Sequence, residues 1–159
     1  MAAVSAGLLM YRRKAGRLEV LLVHPGGPFW KNKDAGAWSI PKGEADPAEN
    51  LLETARREFA EELGFSPQIE NLIDLGEIRQ KSGKRVRAWA FEGDLDPDAI
   101  VSNTFSMQWP PKYGRTQTFP EVDRAAWLDP ATARKKINPG QIPFLGALEN
   151  LLAESGPNG

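Results

Sequence analysis

The chain has no cysteine, so disulfides, thiolate metal sites and a cysteine nucleophile are all excluded. It has one histidine and two tyrosines. No apolar run is long enough to span a membrane. The basic cluster Arg12-Arg13-Lys14 follows the mildly apolar first ten residues, the reverse of the order a signal peptide needs. Twenty basic side chains against twenty-one acidic ones leave a net charge of −1, so there is no strong nucleic-acid signal. A polyanionic ligand would have to be neutralised locally. These absences predict a cytoplasmic protein with no membrane partner.

Hydrophobic residues make up 41% and charged residues 26% of the 159 residues, the composition of an ordinary globular domain. Strand-like and helix-like stretches alternate. Ala2 to Tyr11 reads as a first strand and Leu18 to Val23 as a second, nearly continuous apolar one. The loop HPGGPFWKNKDAG follows, then a short strand over Ala37–Ile40. Leu72–Arg79 and Arg85–Phe91 predict a hairpin around Ser82-Gly83. Asp94 to Pro120 reads as long and irregular. Ala125–Leu128 is a late strand, Asp129-Pro130 caps a helix to about Ile137, and Gln141–Leu152 makes a last helix. The pattern implies an α/β sandwich with a mixed β-sheet between helices, one domain over residues 1–154, and a frayed tail over 155–159.

The most informative stretch is GEADPAENLLETARREFAEELGF, from Gly43 to Phe65. Asp46 is a good N-cap, Pro47 suits a first helical position, Glu49 can close a capping box, and Gly64 is a natural left-handed stop. A helix over Pro47–Leu63 is therefore predicted. At about 100° per residue, Ala48, Leu52, Ala55, Phe59 and Leu63 gather on a face to be buried. Glu58, Glu61 and Glu62 share a stripe beside it, and Arg57 falls on the far flank, within one turn of Glu53 and Glu61. Acids so placed repel one another, and a hard divalent cation relieves the repulsion.

Those residues fill every position of G-x5-E-x7-R-E-U-x-E-E-x-G-U, where U is bulky and apolar. The stretch resembles the Nudix box of the Nudix hydrolases, and WSIPKGE and FPEVDRAAW also look like segments of that family. The resemblance implies an α/β/α sandwich carrying a catalytic loop-helix-loop. It implies Mg²⁺ (or Mn²⁺) held by Glu58, Glu61, Glu62 and the carbonyl of Gly43, with Arg57 orienting the glutamates. It implies a structural role for Glu49, and Glu121 as a further metal ligand or general base. The expected reaction is cleavage of a phosphoanhydride in a nucleoside diphosphate derivative. A diadenosine polyphosphate (diadenosine tetraphosphate) or a nucleoside triphosphate is the foremost substrate. A marker tyrosine of some diadenosine polyphosphate hydrolases is missing. ADP-ribose or another nucleotide sugar is the weaker alternative, and a non-catalytic nucleotide-sensing domain the rival of another class.

Lys42 stands where it can meet a phosphate or remain a solvated lysine. Lys112, Tyr113 and Arg115 combine cations with a π-face suited to a nucleotide, against a Pro-braced surface loop. Trp38 reads as packing rather than stacking. His24 reads as a loop histidine without a role or as a proton shuttle. A monomer or homodimer acting on a nucleotide or dinucleoside polyphosphate is the expected assembly.

Overall fold

The computed structural model describes residues 4–154. The expected frayed tail and the first residues of the expected Ala2–Tyr11 strand lie outside that range. The elements run β1 (Val4–Lys14), β2 (Arg17–Pro25), β3 (Lys42–Glu44), α1 (Leu51–Leu63), β4 (Ile73–Arg79), β5 (Arg85–Glu92), β6 (Thr104–Trp109), β7 (Arg115–Pro120), β8 (Val122–Leu128), α2 (Pro130–Lys136) and α3 (Ile142–Glu154). Short 3-10 turns cover Pro97–Ala99 and Pro139–Gln141.

The main sheet has the order β4-β5-β1-β2-β8, with β3 on β1. It is mixed: β1 runs parallel to β5, while β2, β3, β4 and β8 pair antiparallel with their neighbours. The long apolar runs of β1 and β2 follow from this arrangement, because helices cover both faces. Leu8, Leu21 and Val23 meet Ala55, Phe59 and Leu63 of α1 on one face. Leu9, Val20 and Leu22 meet Phe144, Leu145 and Leu148 of α3 on the other. Phe59 is fully buried against Phe91, and such a side chain contributes about 1.5–3 kcal/mol by leaving water. The sandwich is therefore the one the alternating pattern predicts.

Strand β1 changes partner along its length. Tyr11–Lys14 pair with β2, and Ser5–Gly7 pair with β3. A Cβ on Gly7 would lie 2.6 Å from the Pro41 carbonyl oxygen, so only glycine lets the segment before β3 approach this closely. This exchange brings Lys42 and Gly43 beneath α1.

Five sequence expectations need correction. The expected Ala37–Ile40 strand reduces to two isolated bridges, Ser39 to Val23 and Trp38 to Ile137. The helix begins at Leu51, not Pro47: Asp46–Glu49 close a turn of their own, with the Glu49 N–H on the Asp46 carbonyl at 2.9 Å. Asn50, in extended conformation, then caps the helix through its side chain to the Leu52 and Glu53 amides. Ala48 is consequently exposed outside the helix, and Leu51 joins the packed face in its place. The irregular 94–120 stretch contains the β6–β7 hairpin, a separate two-stranded sheet. Phe105, Met107 and Trp109 alternate along β6 as its half-buried residues, a period-2 signal present in FSMQW. The late strand starts at Val122, three residues before the expected Ala125. His24 lies in β2, fully buried, rather than in a loop.

Candidate active site

The site forms where β3 passes under α1. A Cβ on Gly43 would fall 2.1 Å from the Glu58 carboxyl carbon, so the missing side chain is the space the Glu58 carboxylate occupies. Gly64 ends α1 at φ 77°, as its left-handed cap. The helix's last carbonyls are then used for tertiary contacts: Leu63 accepts from the Val101 amide at 3.0 Å and Glu61 from the Asn103 amide at 2.8 Å. The chain of bonds continues, with Glu121 N–H on the Asn103 carbonyl at 2.8 Å and Gly26 N–H on the Glu121 carbonyl at 2.9 Å. Four backbone bonds thus tie α1, the 100–103 segment, Glu121 and the end of β2 into one frame.

Within that frame the acids differ in environment. Glu62 is buried, and its nearest hydrogen-bond donor is the Lys42 backbone amide, at 3.3 and 3.4 Å from its two oxygens. Burial, then the neighbouring Glu58 charge, pushes the Glu62 carboxyl well above the usual carboxylate range. Glu58 is raised for the same reason, burial first and Glu61 second, despite a 3.0 Å contact from Arg57. Glu121 is raised by burial and by Glu61. Desolvation lowers the Lys42 ammonium, and Lys84 adds to that effect. Lys42, Glu62 and Glu121 line one cavity of about 160 Å³ with Pro25, Ser39 and Ile40.

Arg57 does not turn toward Glu53, as its helical position suggests. Its Nε and Nη2 form a fork on Glu49, at 2.8 and 2.9 Å, while Nη1 reaches Glu58 and Glu61. Glu49, freed from a capping role by the late start of α1, holds the guanidinium from below and also accepts from the Thr54 hydroxyl. Its amide-side contact to Asp46, at 3.4 Å, is the weak remnant of the expected capping box.

The donor set around Gly43 is all oxygen, with a buried carboxylate that only a long amide contact relieves. That chemistry suits a hard divalent cation. Among the described residues, no group of three or more His, Cys, Asp or Glu side chains stands arranged to hold a metal ion, and Glu58 and Glu61 both accept from Arg57.

The remaining predicted residues lie elsewhere. Lys112 and Tyr113 sit at the exposed tip of the β6–β7 hairpin, Tyr113 at 91% exposure. Arg115 opposes Trp109 across that hairpin. Trp38 is buried and donates to Asp34 at 2.7 Å, a packing role. His24 bridges Asp123 (2.9 Å) and the Lys33 carbonyl (2.7 Å), so it fastens the loop after β2 to β8. Both partners are acceptors: a doubly protonated ring satisfies both, a neutral ring one. Sequence reasoning missed this clasp because Asp123 lies 99 residues from His24 in the chain.

Fold and site together define a class: an α/β sandwich whose acids, on one helix, close over a glycine in the strand before it. The chain belongs to the NUDIX family, whose domain profile matches residues 1–148. It is similar to the asymmetrical bis(5'-nucleosyl)-tetraphosphatase of Caenorhabditis elegans, 35% identical over 68 residues, covering 43% of this chain and 45% of that one. The mouse protein of the same name is 31% identical over 103 residues, covering 58% and 66%. An RNA pyrophosphohydrolase of Erythrobacter litoralis is 37% identical over 70 residues, covering 41% of each. The matched stretches thus span between two fifths and two thirds of these relatives. In structure, the C. elegans Ap4A hydrolase binary complex superposes with a TM-score of 0.65 at 24% identity, covering 94% of this chain and 98% of that one, which is a likeness of fold. No helix among the described residues is long and apolar enough to cross a membrane.

Proposed function

We propose that this protein hydrolyses a phosphoanhydride bond in a nucleoside diphosphate derivative. The observation that carries the reading is the pair Glu58 and Glu62, two raised carboxylates, Glu58 seated over Gly43 and Glu62 over the Lys42 amide, with Glu121 in the same cavity as Glu62. Glu58, Glu61, Glu62 and the Gly43 carbonyl would hold Mg²⁺ or Mn²⁺. When bound, the cation polarises phosphate oxygens and neutralises the acids. Arg57, braced by Glu49, fixes how Glu58 and Glu61 point. Lys42 meets a phosphate oxygen from the cavity wall. Glu121 accepts the proton of the attacking water as its oxygen bonds to phosphorus and the anhydride P–O bond breaks.

The relatives' names support a dinucleoside tetraphosphate as the foremost substrate, with a nucleoside triphosphate next. An RNA 5' end enters through the third relative. The test is turnover of diadenosine tetraphosphate, ATP, ADP-ribose and 5'-triphosphorylated RNA, with Mg²⁺ or Mn²⁺ and after exhaustive chelation. We expect metal-dependent release of nucleotide and phosphate products, fastest on diadenosine tetraphosphate. Full activity after chelation, or no turnover of any of the four, overturns the reading.

A further inference from the structure

The register of β2 on β8 slips at one point. His24 faces Arg124, but Pro25 faces Val122, so Asp123 is one residue too many on β8. The packing records the same slip. Val122, Ala125 and Trp127 pack in the α1-side core, while Ala126 and Leu128 pack in the α3-side core. In an unbroken strand, residues two or four apart share a face, so Glu121 would join Ala125 and Val122 would turn the other way. The bulge reverses this. Val122 enters the core at 4% exposure, and Glu121 is left to the wall of the carboxylate cavity.

The extra residue is held. The Asp123 carboxylate turns back to His24, 2.9 Å from Nδ1, and Nε2 on the other side of the ring meets the Lys33 carbonyl at 2.7 Å. The ring is fully buried and packs edge-on against Trp38, with centroids 5.3 Å apart. From Val20 to Val23, β2 is apolar and buried, and an apolar side chain at position 24 could fill the same space. What the imidazole adds is its two polar contacts, one of them to the bulge. Past the bulge the pairing resumes at once. The Gly26 N–H donates to the Glu121 carbonyl at 2.9 Å, and a Cβ on Gly26 would lie 2.0 Å from the Pro120 carbonyl oxygen, so only glycine follows β8 this closely. On the opposite side, the Glu121 N–H donates to the Asn103 carbonyl at 2.8 Å and the Val122 N–H to the Ser102 hydroxyl at 3.0 Å.

We propose that the His24–Asp123 pair is a positioning device for Glu121: by pinning the extra residue of β8, it holds the register that turns Glu121 into the cavity with Glu62 and Lys42. The inference rests on the reading of Glu121 as the proton acceptor. It adds two residues that act through Glu121 rather than on the reacting atoms.

The test has a structural arm and a kinetic arm, both on the full chain. Asp123 is exposed, so Asp123→Ala opens no cavity in the core. In metal-free protein, Asp123→Ala should speed amide hydrogen exchange at Gly26 and Glu121 about tenfold. The Gly64 amide, which closes α1 on the Ala60 carbonyl, should keep its wild-type rate. Asp123→Asn, which keeps an oxygen toward the ring, should restore most of the protection. With Mg²⁺ and diadenosine tetraphosphate, Asp123→Ala should lower kcat about tenfold and leave KM within about twofold. In a Glu121→Gln background the same replacement should change kcat by less than about twofold, because residues that act as a unit are not additive. The proposal is overturned if Gly26 and Glu121 keep wild-type exchange in Asp123→Ala, if Gly64 accelerates with them, or if the kcat losses multiply in the double variant. Wild-type kcat in Glu121→Gln, with the two amides still unprotected in Asp123→Ala, sinks only the reading of Glu121 as proton acceptor and supports the pinning of its backbone.

Discussion

The loop-helix-loop and the His24 clasp are built by opposite means. The first is contiguous: Gly43 to Phe65 supplies the glycine, the acids, the arginine and the helix stop in one run. Its side chains are buried or held by one another, with Arg57 shared among Glu49, Glu58 and Glu61. The second is assembled from β2, the loop after it and β8, with Asp123 lying 99 residues from His24. Groups that must carry charge without water need fixed local geometry, which a helix provides through its i,i+3 and i,i+4 neighbours. A group outside the helix, as Glu121 is, has its direction set by strand register instead.

The comparison breaks most decisively at the acids. Glu62→Gln and Glu58→Gln should each lower kcat by about 10²–10³-fold, the size of effect seen when one electrostatic group is removed from a site. Glu62→Gln should at the same time raise Tm at neutral pH in metal-free protein. The folded state binds its proton more tightly than the unfolded one, so the ionised form burdens the fold at pH 7. Glu53→Gln, on an exposed flank, is the control in kinetics and calorimetry. Equal losses at Glu53 and Glu62 would mean that the acid stripe has been placed on the wrong face.

A smaller effect is expected at the floor of the site. Gly43→Ala places a methyl inside the space of the Glu58 carboxyl group, so that carboxylate must swing aside, and denaturant unfolding should change less than activity does. Activity should drop, and unchanged activity would mean that the Glu58 carboxylate does not act from the space over Gly43.

Glu49 sharpens the contrast through pH. Hydrogen bonds from Arg57, then Thr54, hold its carboxyl down at about 2 against a usual value of 4.5. A depressed carboxyl stabilises the fold above its unfolded value, and that contribution is lost as pH falls from about 4.5 through about 2. Wild-type stability should therefore fall across that window, and Glu49→Gln should show a shallower fall. An unchanged slope would mean that the Arg57 fork is absent in solution. The smallest effect belongs to the hairpin tip: Tyr113→Ala should leave KM for diadenosine tetraphosphate within twofold, because that ring stands in water away from the carboxylate cavity. A tenfold rise would place the hairpin tip in contact with the substrate.

Much of α1 and of the central sheet is legible in the residue pattern alone. The spacing of Ala55, Phe59 and Leu63 places the buried face of α1, and Gly64 places its end. The alternation of Val86, Ala88 and Ala90 places a strand whose three side chains are indeed fully buried. The start of α1 is not legible, because Asp46-Pro47 and Asn50 are both competent caps. In the structure Asn50 is the cap, and Glu49 reaches Arg57 across the turn. The hairpin is obscured by its prolines and its polar β7, where composition outweighs the two-residue period of Phe105, Met107 and Trp109.

By itself, then, the sequence determined the local chemistry: which acids lie on one helix, which glycine faces them, and which family the pattern belongs to. Helical periodicity and the absence of a Cβ act over a few residues, so they can be read from a few residues. Only the tertiary structure decided what meets across the chain. It set Lys42 under Glu62, threaded Asn103 between α1 and Glu121, buried His24 between Asp123 and Lys33, and closed Trp109 over Phe29. Those contacts depend on β1 exchanging β2 for β3 and on a hairpin packing against two glycines, and no local pattern encodes such distances.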